Sequence, residues 1–297
     1  MDIQVQTVKV DWSKMPKGII WYFIGAPKTG KTTQASKWHE KGSEKVLLLD
    51  SDFGASFVNN ANTIPIVCLP TPWRQKKNDK GELLFKKSNK GKKIPDMEII
   101  PPEERGYFYR AGTNRGKPMA VYSFEEVFIW LIENWVQLPY DTLALDTIDK
   151  INEWVEERVC QKLEIDTIAD AEWGAGWANA KQRVIGYIDT LIEILRLSNS
   201  DFIVTSHSKP TSTVDGKIQL APDLPKGLAN AILGKADVIG YTTASKADNK
   251  YYISFLSYDE RSVGSRLEPL KQKKLPFSYE AVVKEVENFG KENNKEA

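Results

Sequence analysis

Cysteine and histidine are scarce in this chain: its 297 residues include two of each, Cys68 and Cys160, His39 and His207. The cysteines lie far apart and form no CxxC pair, which excludes a disulfide framework and a cysteine-based zinc site. No apolar run approaches ~18 residues and no secretory pattern is present, so the expectation is a protein of the reducing cytoplasm with no membrane contact. A surplus of one charge sign is missing too. With 41 Lys and Arg against 40 Asp and Glu, the net charge of +1 provides no global field toward nucleic acid, and any such attraction must be local. Internal repeats and coiled-coil heptads are absent. What remains, 27% charged and 41% hydrophobic residues, is the composition of an ordinary globular chain.

The length suits one large α/β domain with decorations. Residues 1–297 are read as a single domain with its core at about 18–258, an insertion at about 70–118 and a C-terminal tail at about 270–297. Gly18 to Ile24 reads as a buried strand and passes through a glycine-rich turn into TTQASKWHEK, read as a helix. KVLLLD (45–50) and TLALD (142–146) are apolar runs ending in an acid, and TIPIVC (63–68) is a weaker one. Ser123 and Glu126 have capping-box spacing ahead of VFIWLIENW, and further helices are expected over 148–163 and 178–197. FIVTSH (202–207) is another strand, and 237–243 and 250–257 are β-like. Strands alternating with helices predict an α/β fold with a mostly parallel central sheet covered on both faces.

Within the first strand-turn-helix, Gly25-Ala26-Pro27-Lys28-Thr29-Gly30-Lys31-Thr32 matches G-x-x-x-x-G-K-[ST]. The two glycines let the backbone approach phosphate oxygens, main-chain amides face the anion, and Lys31 neutralises the β and γ charge. Thr32, with Thr33 behind it, is placed to ligate Mg²⁺. Asp146, rather than Asp141, ends a strand where a P-loop protein carries its metal-holding acid; the plain alternative is a helix cap. Asp50 and Asp52 end the strand after the P-loop helix, either as a water-activating base or as loop-capping acids. His207 stands at a strand tip, within reach of a γ-phosphate or merely hydrogen-bonded there. His39 is expected to face solvent. Arg261 and Arg266 are candidates for a charge donated to a neighbouring subunit, with Arg110 similar in type but inside the insertion.

Between Arg74 and Lys93 the local net charge is +7. Arg74, Lys76, Lys77, Lys86, Lys87, Lys92 and Lys93 stand there among Trp73 and Phe85, a combination that suits phosphates and unpaired bases and equally suits a solvated hairpin. A second loop, about 208–228, adds Lys209 and Lys217. Loops this long are usually functional or disordered. Trp173 and Trp177 precede the long helix, where they are stacking residues at a loop tip or are buried.

The series GKTT, LLLDSD, LALDT and IVTSH, in that order, resembles the RecA-like recombinase core and is similar to the compact phage-encoded AAA-family ATPases of the Sak-four type, which act in single-strand annealing and recombination. The likeness covers about 18–258. It implies ATP and Mg²⁺ as cofactors, phosphate contacts from Gly25 through Thr33, the Walker B role for Asp146 and the water-activating role for Asp52, where the recombinases have glutamate. It places His207 at a sensor position usually held by glutamine. It further implies a homo-oligomeric ring or filament and single-stranded DNA gripped by the loops at about 163–176 and after His207, with a single-strand DNA-binding protein as a candidate partner. A DNA-dependent ATPase is therefore expected. The alternatives are a P-loop nucleoside or nucleotide kinase, weakened by the lack of an arginine-rich lid, and an ATP-switched single-strand binder. A GTPase is disfavoured because Gly234-Lys235-Ala236-Asp237 lacks the asparagine of N-K-x-D.

Overall fold

The computed structural model describes residues 10–88, 91–212, 218–257 and 262–293. In chain order the elements are β1 (Ile20–Gly25), α1 (Lys31–Ala35), β2 (Val46–Asp50), β3 (Asn62–Cys68), β4 (Trp73–Gln75), β5 (Phe85–Lys87), β6 (Lys93–Pro95), β7 (Met97–Ile99), β8 (Tyr122–Ser123), α2 (Phe124–Asn134) and β9 (Thr142–Asp146). There follow α3 (Ile148–Leu163), α4 (Ala175–Leu197), β10 (Asp201–Ser212), β11 (Ile218–Pro222), α5 (Lys226–Leu233), β12 (Val238–Ser245), β13 (Lys250–Ser254), β14 (Gly264–Ser265), β15 (Lys274–Pro276) and α6 (Tyr279–Asn293).

The main sheet runs β15-β13-β12-β1-β10-β9-β2-β3-β8 and is parallel from β12 to β8. Its strands β1, β2 and β9 are buried along their whole length because both faces are covered. Alternate side chains of one strand enter different cores: Ile20, Tyr22 and Ile24 pack with α2 to α5, while Trp21 and Phe23 pack with Trp38, Phe277 and α6. The same alternation divides Leu47 and Leu49 from Val46 and Leu48. The fold class expected from the strand-helix alternation is the one observed.

Register brings the carboxyl ends of β1, β2 and β9 to one edge, beside the middle of β10 and β12. Gly25 is level with His207 of β10 and Thr242 of β12, and Asp50 of β2 is level with Asp146 of β9. In open parallel sheets this edge is where ligands bind.

Several expectations are corrected. The helix after the P-loop ends at Ala35, because Ser36 Oγ bonds back to Thr33 O and Trp38 turns wholly into the aromatic core between Trp21, Phe23 and Phe277. Of the C-terminal stretch, residues 274–293 are packed on the core: β15 pairs with β13, and α6 buries Val282, Val286 and Gly290. The strand ending in IVTSH runs on to Ser212 and forms a hairpin with β11. The insertion is built from two small ladders, β4 with β7 and β5 with β6. His39 stacks on Tyr279 and reaches Asp141 at 3.5 Å, with its side chain 11% exposed.

The capping box is present as read. Ser123 Oγ accepts from the Glu126 amide, and Glu126 accepts from the Ser123 amide at 2.8 Å. Arg105 of the insertion adds a bidentate pair to Glu126, both contacts 2.7 Å, which anchors the insertion to α2.

Candidate functional site

The loop from Gly25 to Gly30 leaves β1 between its two parallel neighbours and is held by β12. Thr29 Oγ1 bonds Ala26 O at 2.8 Å and Thr242 Oγ1 at 2.7 Å, and Thr242 Oγ1 bonds Ile24 O. A side chain at Gly25 would place its Cβ 2.1 Å from Thr242 Oγ1, so this glycine is fixed by close approach. Gly30, at φ +85°, needs glycine for its backbone, and the Tyr251 ring of β13 lies against it.

Lys31 is almost wholly buried and donates to Gly25 O at 2.8 Å and Ala26 O at 2.9 Å. Burial pushes its pKa down, opposed by the charges of Asp146, Asp149 and Asp52. Thr32 Oγ1 donates to Asp146 Oδ2 at 2.6 Å, and Thr205 of β10, fully buried, donates to the other carboxylate oxygen. Burial raises the Asp146 pKa, and the two hydroxyls partly offset that rise. The Asp146 carbonyl accepts from the Ser51 amide at 2.7 Å, tying β9 to the segment after β2. These contacts bring Lys31, Thr32 and Asp146 together across more than a hundred residues.

The two acids after β2 separate by role. Asp50 is buried and accepts from the amides of Asp52, Gly54 and Ala55 at 3.3, 3.1 and 2.9 Å, with its pKa pushed up to about 6, mainly by burial. It is the clamp of the turn. Asp52 stands at the mouth of the site, its pKa raised first by desolvation and then by Asp146, and lowered by His207.

Asp149, on the first turn of α3, escaped the sequence reading. Its carboxylate meets His207 Nδ1 at 2.6 Å and accepts from the His207 amide at 3.2 Å. That hydrogen bond raises the histidine pKa above its ordinary value. The only sequence signal for Asp149 was its place three residues beyond the strand-end acid; Thr205 and Thr242 gave none.

Other predicted residues lie elsewhere. Arg266 pairs with Asp237 at 2.8 Å and Gly234 O at 2.9 Å, and Asp237 caps the Ile20 amide, so this arginine sits at the opposite end of β1 from its own P-loop. Arg261 and Lys217 lie outside the described residues. In the insertion, Arg74 pairs with Glu98 and Glu104, and Lys76 and Lys86 approach Asp96 at 3.5 and 3.6 Å. Lys93 lies over the Phe85 ring, and Lys209 pairs with Asp223 at 3.0 Å. Among the described residues Lys77, Lys87 and Lys92 have no ion pair.

The loop at 163–176, assigned to a DNA strand by resemblance, has the wrong charge for that role. Glu164, Asp166, Asp170 and Glu172 lie in it without a lysine or arginine, and Glu153, Glu156 and Glu157 of α3 line the same cavity of about 630 Å³. Carboxylates repel a phosphate backbone. Trp173 is fully exposed there and Trp177 half-exposed, so neither is a core residue.

Hard oxygen donors at Thr32 and Asp146 fit Mg²⁺, which keeps most of its shell as water and phosphate oxygens and needs one or two protein ligands. No group of three or more histidine, cysteine, aspartate or glutamate side chains that could hold a metal ion exists among the described residues. A protein-family model described as an AAA domain matches residues 17–275. The chain belongs to this AAA-domain family. No curated protein matches it. Membership makes it an AAA-type P-loop ATPase in its general class. No described helix is long and apolar enough to cross a membrane.

Proposed function

We propose that this AAA-domain protein binds ATP with Mg²⁺ at Gly25–Thr33 and hydrolyses it in response to single-stranded nucleic acid held by the basic insertion. The observation that supports the nucleotide half is the 2.6 Å contact between Thr32 and Asp146 beside the buried ammonium of Lys31. Thr32 and Asp146 would hold the metal, which when bound would neutralise charge on the phosphates. Lys31 exchanges its bonds to Gly25 O and Ala26 O for the β and γ oxygens. The exposed edge of Tyr251, beside Gly30, offers the nucleoside a flat apolar wall.

Asp52 takes the proton of the attacking water. As the new oxygen-phosphorus bond forms, the bond to the β-phosphate oxygen breaks and ADP leaves with that electron pair. His207, fixed by Asp149, stands on β10 level with Gly25 and would donate to the developing charge. Asp52 is one methylene shorter than glutamate, so the water it activates must lie correspondingly closer.

Charge assigns the strand to the insertion and to the β10–β11 hairpin, which carries Lys209, rather than to the acidic tip between α3 and α4. Lys77, Lys87 and Lys92, lacking ion pairs among the described residues, are the readiest phosphate contacts, and Trp73, Phe85 and Phe108 are exposed elsewhere in the insertion. Assembly into a ring or filament, with Arg261 or Arg266 reaching a neighbour's nucleotide, belongs to this reading, as does a role in phage-type annealing or recombination.

Phosphate release measured with and without short single-stranded DNA, with mononucleotide acceptors in parallel, tests it. Stimulation by DNA is expected. Transfer to an acceptor would make the protein a kinase, and binding without turnover would make it a switch; either result overturns the proposal. Neutralising Lys86, Lys87, Lys92 and Lys93 together should flatten the plot of log affinity against log salt by about 3, at roughly 0.7 per phosphate contact.

A further inference from the structure

The segment Ser51–Phe57 touches three things at once. Asp50 clamps its amides from behind. Gly54 lies so close to Thr32 that a Cβ there would stand 3.0 Å from Thr32 Oγ1. Phe53, between Asp52 and Gly54 and held at φ +56°, sends its ring outward to stack on Tyr107 of the insertion, with centroids 5.3 Å apart and planes within 12°. Arg110 repeats the contact from the same side, its guanidinium 5.2 Å from the Phe57 ring. Tyr107 is itself fixed: its carbonyl accepts from the amide of buried Met119 at 2.9 Å, and Tyr109 pairs with Lys117 two residues on.

A left-handed phenylalanine has little freedom to shift without dragging its neighbours. Displacing Tyr107 therefore displaces Phe53, and with it Asp52 on one side and the backbone against Thr32 on the other. We propose that the Phe53–Tyr107 stack couples the nucleotide site to the basic insertion, with Tyr107 a positioning residue for Asp52. This rests on the assignment of nucleotide to the P-loop. Coupling is reciprocal, so nucleotide must alter the insertion as much as the insertion alters nucleotide affinity. An aromatic stack limits that effect to about two- to tenfold.

Hydrogen exchange on the full chain, with and without Mg²⁺ and a slowly hydrolysed ATP analogue, tests this without any nucleic acid. In the parent protein the analogue should slow exchange at residues 25–32 and also, two- to tenfold, at 107–111. Tyr107→Ala should keep the first effect and lose the second, shift analogue affinity by the same factor and lower kcat, while Tyr107→Phe behaves as the parent. Protection at 25–32 alone in the parent overturns the coupling and leaves nucleotide binding intact. So does an unaltered response in Tyr107→Ala. Protection at neither place overturns both readings. If Tyr107→Ala fails to fold, Tyr107→Leu, which keeps apolar bulk without the aromatic face, carries the same expectation.

Discussion

Thr205→Val isolates the support beneath Asp146, the acid proposed to hold the metal. Thr205 is fully buried, and its hydroxyl is one of two that hold the Asp146 carboxylate. Valine keeps the branched shape and removes only the donor. A hydrogen bond to a charged group contributes about 1.5–3 kcal/mol, and here the acceptor is a buried carboxylate that water cannot reach to replace it. Large domains lose about 2–4 °C per kcal/mol, so melting without ligand should fall by roughly 3–12 °C. Burial already raises the Asp146 pKa, and loss of Thr205 raises it further. The difference between parent and variant is therefore present where Asp146 is ionised and closes as pH falls through its folded pKa, because a protonated carboxyl no longer needs the donor. Differential scanning calorimetry from pH 8 into acid reads both quantities. Mg²⁺-dependent nucleotide affinity should weaken by about ten- to a hundredfold, the usual cost of removing a hydrogen-bond partner behind a metal-ligating carboxylate. A variant that melts with the parent at pH 8, or a deficit that persists unchanged into acid, would refute the claim that Thr205 acts through the charge.

Gly25→Ala forces a Cβ to within 2.1 Å of Thr242 Oγ1 and 2.7 Å of Thr242 O, so strand β12 must move; thermal melting should fall and nucleotide binding be lost together. Asp52→Asn should lower kcat by about 10²–10⁴ while analogue affinity by calorimetry stays within a few-fold, and Asp52→Glu should retain turnover. His207 should titrate above its ordinary value because Asp149 binds its Nδ1, and Asp149→Asn should bring it down, as followed by imidazole NMR. With the folded pKa raised, the stability from this pair is complete at pH below the unfolded value near 6.5 and is lost as pH rises through the folded pKa.

Local pattern carried much of the architecture. The P-loop, the capping box at Ser123 and the acid ending β9 depend on residues adjacent or a few places apart, so spacing exposes them. The alternation of strands and helices showed the parallel sheet for the same reason. The pairing of Asp149 with His207 and of Thr205 with Asp146 joins side chains 58 and 59 residues apart through register, which spacing does not display. Asp50 and Asp52 looked alike in LLLDSD; three backbone amides, set by the turn that follows, make one a clamp and leave the other at the mouth. The insertion was legible as charge but not as structure, since its pairing acids Asp96, Glu98 and Glu104 lie beyond the lysine-rich window that draws attention. The acidity of residues 163–176 was readable from the chain throughout, and resemblance to a DNA-gripping loop obscured it.

The ammonium of Lys31, already engaged by two carbonyl oxygens of its own loop, changes what recognition means at this edge of the sheet. An incoming anion does not meet a bare cation; it must outcompete oxygens already in place. Inorganic phosphate or a nucleoside monophosphate, reaching only part of the cradle, would leave the lysine turned inward, so discrimination by chain length arises before any chemistry begins.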